Sequence, residues 1–568
     1  MASIKSTAFA SVIIFVLSLV TFGVSAFLDP EPHHDGVQMA PAIAVSEGLA
    51  IHRDVFDQYG PITAWLQGGA VYIFGPQLLT IRLMTAVLLA VAAVLMLLLA
   101  REFFSTLSVP ILLTVLWVSL WPGRSVEALT YLFLPWPSIT FLVLQLAASL
   151  ITIRIVRGAT DQLGLYALLG MITGTAVMTR LNYGLPLALA VIVVLLIFRN
   201  TKRPIGRSRW LTLVLSAAVP ILIVIIVLAH EAAIGAYFTQ TITGPLAGEA
   251  TDGSTPWFFI KNVVLWGSLP LLITIATVYA AARRWPRSKK LPITLGSFGT
   301  LGLIVWVSAS IPNTPLRELI LHHLTWAPAL DHLAFQPLFL IALMIPIACV
   351  GVIIMCAREI SDKIRMIGSL LFIAGASMAQ LFPFIDPNHL WWASPLMLIA
   401  FSYLISLGLS NRWRNAVLAV LCLPPLVIAV PRAIEYLAIP RQQLNAGVLS
   451  GMYIPVERVD DVKLVDDSLL GLSVRSNRFD CINGLFAVWN GTYLADSAGF
   501  VNWATGIAPL DSSDIPAIQV VCAPVSGDGT LGVFDVPEGM EVRNVSGPIS
   551  VSYYNYMYLV TLVPAAQN

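Results

Sequence analysis

Residues 79–100 read LTIRLMTAVLLAVAAVLMLLLA, an apolar run whose single charge is Arg82 near its start. As a helix, rising 1.5 Å per residue, such a run covers the roughly 30 Å of a bilayer's hydrocarbon. Similar runs recur on both sides. They place further spans near 8–28, 106–121, 136–153, 163–180, 184–199, 210–230, 260–282, 291–310, 337–357, 366–384, 392–410 and 414–430. The span at 106–121 is short and has Pro110 near its start, and Leu181-Asn182-Tyr183 reads as a tight reversal between two spans. Of 568 residues, 57% are hydrophobic and 11% charged, less than half the roughly 25% charged of soluble domains. The mean hydropathy is +0.83. The sequence predicts an all-α polytopic membrane protein with about thirteen transmembrane helices. A net charge of +1 argues against nucleic acid as a ligand.

Lys and Arg set the orientation. Arg199, Lys202, Arg203, Arg207 and Arg209 crowd one loop, and Arg283, Arg284, Arg287, Lys289 and Lys290 another. Arg154 with Arg157, Arg358 with Lys363 and Arg365, and Arg412 with Arg414 mark three more. With these spans all five loops share one side with Lys5, which puts the N-terminus in the cytoplasm. Arg53, Arg124, Lys261 and Arg317 are scattered over the other side. Val24-Ser25-Ala26 also resembles a signal-peptidase site, so the first span reads either as a retained helix or as a cleaved leader.

Two large segments then lie outside, a loop at 29–78 and a tail at 431–568. Residues 1–430 read as a transmembrane domain and 431–568 as a small extracytoplasmic α+β domain. Leu485–Trp489, Ile518–Cys522 and Ile549–Tyr558 have β-type composition. Cys349, Cys356 and Cys422 fall within spans. Cys481 and Cys522 are the two in the tail, an oxidising location in which a disulfide between them is expected. Asn490 and Asn544 begin glycosylation triplets, which are common by chance.

The loop opens on Asp29-Pro-Glu-Pro-His-His-Asp-Gly36, then a segment of helical character, then His52-Arg-Asp-Val-Phe-Asp-Gln-Tyr-Gly-Pro61. Asp29, Glu31, His33, His34 and Asp35 so near a membrane helix have the chemistry to accept a proton or to hold a divalent ion, in which His33, His34 and Asp35 are the candidate ligands. A solvated helix end has the same composition. Arg180, Arg82 and Arg124 are outer-face cations beside the bilayer, where an Arg needs a partner. Pairing with Glu127 or Asp57 or snorkelling to headgroups would satisfy them. His322-His323 and Asp331-His332 lie on another outer loop without helical metal-ligand spacing.

The order Asp35-Gly36, Glu47-Gly48, Arg53-Asp54, Asp57, Tyr59-Gly60-Pro61, Phe74-Gly75 and Arg82 resembles the first loop of GT-C glycosyltransferases, including protein O-mannosyltransferases and the lipid A aminoarabinose transferase. The His34-Asp35-Gly36 version is similar to a bacterial subgroup. Asp386, His389 and Leu390, followed by Pro395, are similar to a second signature, with Phe384 where an Arg is usual; Thr179-Arg180-Leu181-Asn182 is a third candidate. The resemblance implies a bacterial plasma-membrane enzyme, inverting in stereochemistry. It would move a sugar from a polyprenyl-phosphate donor to an extracytoplasmic glycan, lipid or protein. It implies Asp35 as the base with His34 orienting it, Arg180, Arg82 and Arg124 as candidates to bind the donor phosphate, and substrate contacts at Asp386, His389, Asp54, Asp57 and Tyr59, the last three also serving the loop's fold. Metal dependence differs among such enzymes, so a divalent ion stays an open cofactor. Two alternatives remain at this stage: a flippase for lipid-linked sugars, which would favour inverted repeats and mid-span charges, and a ligase or polymerase of another membrane fold.

Overall fold

The computed structural model describes residues 4–120, 135–158, 162–198, 205–243, 361–381, 387–408 and 437–469, six positions within 341–352 and parts of 478–565. Nine predicted spans fall on these residues, and each is a helix: α1 Ile4–Ala26, α4 Leu78–Arg101, α5 Ser108–Leu120, α6 Pro137–Arg157, α7 Leu163–Thr179, α8 Leu181–Ile197, α9 Arg207–His230, α11 Asp362–Ser377 and α12 Pro387–Gly408. Five of them, α1, α4, α6, α9 and α12, are long and apolar enough to cross a membrane. The spans at 260–282, 291–310 and 414–430, and most of 337–357, lie outside the described residues. The chain is an integral membrane protein, mostly helical. Side chains such as Phe9, Leu17, Leu215 and Ile226 stay exposed, as lipid-facing residues do.

Local chemistry sets the helix ends. In α6, Pro137 stands in the first position and Gly158 just past the last, at φ +127°. Arg154 and Arg157 at that end both pair with Glu102, at 3.0 and 2.5 Å, on the side away from the first loop. The α7–α9 seam rests on Gly170 and Gly174, four residues apart. A Cβ on either would run into the backbone of α9 at Leu213 and Ala217, so glycine permits the close approach. In α12, Pro395 has no N–H to offer the carbonyl of Trp391 four residues earlier. The Trp117 indole of α5 donates to that carbonyl at 3.1 Å. The Trp391 indole returns a bond of 2.9 Å to the Trp117 carbonyl in the last turn of α5. The two rings stack at 4.8 Å.

The reversal predicted at Leu181-Asn182-Tyr183 is tighter than read. α7 ends at Thr179 and α8 begins at Leu181, leaving Arg180 alone in extended conformation. Gly184 makes this fit, because its missing Cβ lets α8 lie against Ala176 and Val177. The first loop contains two helices, α2 Pro32–Ser46 and α3 Pro61–Phe74, and a short α10, Ile234–Phe238, follows α9 before a π turn at Thr239–Thr243.

In the tail, β1 Arg441–Gln443 pairs antiparallel with β2 Tyr453–Pro455. Helix α13, Val459–Leu469, buries Val459, Val462, Val465 and Leu469 along one face. A four-stranded sheet of β3 Arg478–Asp480, β4 Gln519–Pro524, β5 Met540–Ile549 and β6 Met557–Pro564 has the order β3-β4-β6-β5, antiparallel except for β3 with β4. The predicted strand at Ile518–Cys522 lies in β4. The one predicted at Ile549–Tyr558 instead holds facing ends of β5 and β6, with Ile549 opposite Met557. Of Leu485–Trp489, the described Val488 and Trp489 form a turn, held by Val448 N–H donating to the Trp489 carbonyl and by the indole donating to Asp466. Cys481 lies outside the described residues.

Candidate active site

The first loop leaves α1 through Asp29, in the left-handed region at φ +43°. Glu31 then caps α2. Its carboxylate accepts the backbone N–H of His34 at 2.5 Å, and Asp35 returns the bond by accepting the Glu31 N–H at 2.8 Å. This reciprocal cap places two acids at the positive end of a helix. Asp35 also takes the forked guanidinium of Arg82, at 3.2 and 2.5 Å, with both side chains within 1% of full burial. Burial raises the Asp35 pKa above its ordinary value while Arg82 pulls it back.

This arrangement bears on two expectations. Arg82 was a candidate for phosphate, but its donors go to Asp35 and to the carbonyls of Leu28 and Asp29, at 2.7 and 3.3 Å. Asp35 was the candidate base, and both its buried oxygens accept from Arg82. The pair braces the loop. The residue that faces outward is His34, its side chain 24% exposed and its Nδ1 2.8 Å from Glu31 Oε2. Of the candidate metal ligands His33, His34 and Asp35, the Asp35 carboxylate turns to Arg82 and the His34 Nδ1 to Glu31. Among the described residues no three His, Cys, Asp or Glu side chains gather in a metal-holding group.

The loop's second motif docks on the end of α7. Gly60 N–H donates to the Thr179 carbonyl at 3.1 Å, and a Cβ at Gly60 would overlap the Met178 carbonyl. Asp57 accepts the Tyr59 N–H at 2.9 Å in an Asx turn. Asp57 is buried, and burial lifts it to about 7, against the Tyr59 N–H and the Arg180 charge that favour the carboxylate. Asp54 serves the loop itself. It accepts the Ala50 N–H and pairs with Arg53, which reaches across to the Glu231 carbonyl.

Gln240, in the π turn, clamps this motif from another loop. Its Oε1 lies 3.0 Å from His52 Nδ1 and accepts the Asp57 N–H at 3.1 Å, and its Nε2 donates to the His52 carbonyl. An amide oxygen beside Nδ1 assigns the proton to that nitrogen. Burial lowers the His52 pKa to about 4, so the ring is neutral.

Arg180 joins the parts. Its guanidinium lies 4.4 Å from the Tyr59 ring and 3.9 Å from that of Tyr183. It donates to the Ser138 hydroxyl in the first turn of α6. The residue is 4% exposed, and its Nε finds no partner among the described residues. Beside it is the N-terminus of α6, whose cap residue Trp136 also has a buried indole N–H without a partner among the described residues. Trp136 packs against Tyr59 at 5.4 Å and against His34 at 5.6 Å, joining the cation to the Glu31–His34 pair. A guanidinium, buried donors without a partner among the described residues and the positive end of a 21-residue helix have the chemistry to receive an anion. The His34 imidazole stands one aromatic ring away.

Of the predicted residues, the structure brings His34, Asp57, Tyr59 and Arg180 together. His389 stands at the start of α12 with its ring against Trp392. Arg124 and Asp386 lie outside the described residues. Trp136, Ser138 and Gln240 are site residues that sequence reasoning missed. Trp136-Pro137 at the start of a span was the signal for the first two, and nothing local marks Gln240.

No family model matches this chain, and no curated protein matches it. Solved structures are similar to it in outline. ArnT from Cupriavidus metallidurans bound to undecaprenyl phosphate is 14% identical, with 98% of each chain covered and a TM-score of 0.42. The same protein in its apo state is 13% identical, with a TM-score of 0.39. The Archaeoglobus fulgidus oligosaccharyltransferase tethered with an acceptor peptide is 12% identical, covering 92% of this chain and 73% of that one, with a TM-score of 0.45.

Proposed function

We propose that the chain is a membrane glycosyltransferase of GT-C type that transfers a sugar from a polyprenyl-phosphate donor to a hydroxyl on an extracytoplasmic glycan, lipid or protein. The observation that carries this reading is Arg180: a buried cation whose Nε has no partner among the described residues, at a helix N-terminus on the end of the bundle where the first loop lies. A lipid phosphate held at the membrane edge matches that receptor in charge and depth, and the loop motifs that resemble GT-C enzymes surround it.

In this reading Arg180 and the first turn of α6 take the donor phosphate. The acceptor oxygen attacks the anomeric carbon, and the bond from that carbon to the phosphate oxygen breaks. The hydroxyl proton passes to His34, and the polyprenyl phosphate leaves as an anion held by Arg180. Glu31 fixes the imidazole through Nδ1 and stabilises it once protonated. Asp35 and Arg82 keep the loop in place, so the base moves from Asp35 to its neighbour.

The test is transfer by purified protein in lipid nanodiscs, with a panel of polyprenyl-phosphate sugars, comparing wild type, His34→Gln and Arg180→Met. His34→Gln is expected to lower turnover on the order of 10²–10⁴-fold, the usual worth of a general base. Arg180→Met is expected to weaken undecaprenyl-phosphate binding about tenfold or more, as loss of a charge-assisted hydrogen bond does. Full turnover by His34→Gln would remove the base assignment. Movement of intact lipid-linked sugar across vesicles without transfer would replace the enzyme by a flippase.

A further inference from the structure

Arg441 is 412 residues from Asp29 in sequence, yet its guanidinium forks onto that carboxylate at 2.8 and 3.2 Å, with both side chains buried. The backbone repeats the connection. Asp29 N–H donates to the Tyr453 carbonyl at 2.9 Å, and Tyr453 N–H donates to the Phe27 carbonyl at 2.7 Å, so the exit of α1 runs alongside β2. From Asp29 the contacts continue without a gap. The carbonyls of Leu28 and Asp29 hold Arg82, Arg82 holds Asp35, Asp35 holds the Glu31 N–H, and Glu31 holds His34 Nδ1. Two guanidinium groups, Arg441 and Arg82, are matched to two carboxylates, Asp29 and Asp35.

We infer that Arg441, at the head of the C-terminal segment, is a positioning residue for the His34 imidazole, acting by keeping the Asp29 carboxylate away from Arg82. Remove Arg441, and Asp29 becomes a buried carboxylate without its guanidinium, which is strongly unfavourable. Arg82, already bonded to the Asp29 carbonyl, is the cation in contact that can answer it. As Arg82 turns to Asp29, Asp35 loses its partner and the Glu31 cap that aims His34 loosens. The C-terminal segment thereby sets the geometry of the loop whose entry, Phe27 to Asp29, it holds. The word positioning rests on the transfer reading above; the linkage itself does not.

Arg441→Met and the double variant Asp29→Asn with Arg441→Met separate this from a simple staple, because both lack the ion pair and only the single variant leaves a charge to compete for Arg82. In Arg441→Met, hydrogen exchange over residues 28–36 should quicken at least tenfold. Turnover should fall at least tenfold, with the donor KM within twofold. The double variant should recover most of both. Equal loss in single and double variants would reduce the contact to a staple and overturn the inference, as would wild-type exchange and turnover in Arg441→Met. If Arg441→Met does not fold, the double variant decides the matter: folded and active supports the competition, unfolded overturns it. Exchange that responds as described, in a protein that transfers no sugar, would sink the transfer reading and leave the linkage standing.

Discussion

Asp57 and His52 share the amide of Gln240 and titrate in opposite senses, which gives a measurable pattern. An ordinary aspartate loses its proton near 3.8, whereas burial holds Asp57 to about 7. Between those values the folded chain keeps a proton that the unfolded chain has released, so stability falls as pH rises, by about 4 kcal/mol over the window. An ordinary histidine takes a proton near 6.5, but burial holds His52 to about 4. Here the unfolded chain binds the extra proton, so stability rises with pH between 4 and 6.5, by about 3 kcal/mol. In wild type the two slopes offset each other up to about pH 6.5. Asp57→Asn keeps the acceptor for the Tyr59 N–H and removes one slope, so the variant should gain about 3 kcal/mol from pH 4 to 6.5 while wild type stays nearly flat. His52→Gln should show the reverse, a loss as pH rises towards 7. The assay is equilibrium unfolding in mixed micelles at half-unit steps of pH. Parallel curves for wild type and Asp57→Asn would refute the claim that Asp57 is buried and protonated near neutrality.

The buried Asp35–Arg82 pair predicts that Arg82→Met costs about 3–5 kcal/mol by stranding a carboxylate, and that the double variant Asp35→Leu with Arg82→Met regains much of it; thermal unfolding of the three proteins checks this. At the α7–α9 seam, Gly174→Leu should sharply reduce recovery of folded protein, whereas Gly164→Leu, where a side chain meets open space, should not; size-exclusion profiles in detergent compare them. Trp117→Phe removes the indole donor to the Trp391 carbonyl, which keeps the Ser394 hydroxyl at 2.8 Å, and should cost about 0.5–1.5 kcal/mol, read as a lower unfolding midpoint.

The membrane helices were legible because a bilayer demands long apolar runs, and those need no knowledge of neighbours. α3 was missed although Ala64, Gly68 and Val71 carry a helical spacing that the structure buries. At the site, His34, Asp57, Tyr59 and Arg180 were legible as polar residues beside apolar runs. What the sequence could not show is who holds whom. Asp35 and Arg82 are 47 residues apart, and each read alone is a candidate for chemistry; only their contact makes them a brace. Gln240 is one amide in a polar stretch, and its role exists solely because a π turn brings it beneath His52 and Asp57. Pro395 read as part of a signature, whereas the structure gives it a plain consequence, a carbonyl left to the Trp117 indole and the Ser394 hydroxyl.

Arg180 occupies the whole of the connection between α7 and α8. Surface connections usually absorb an inserted or deleted residue, and chains diverge there most freely. This one has no slack to absorb it. A single residue added beside Arg180 would have to lengthen one of the two helices and swing the guanidinium by about 100° around its axis, away from Tyr59, Tyr183 and Ser138 alike. The spacing from Gly170 to Gly184 is therefore a ruler of fixed length, and natural or engineered length changes within it should be far less tolerated than substitutions.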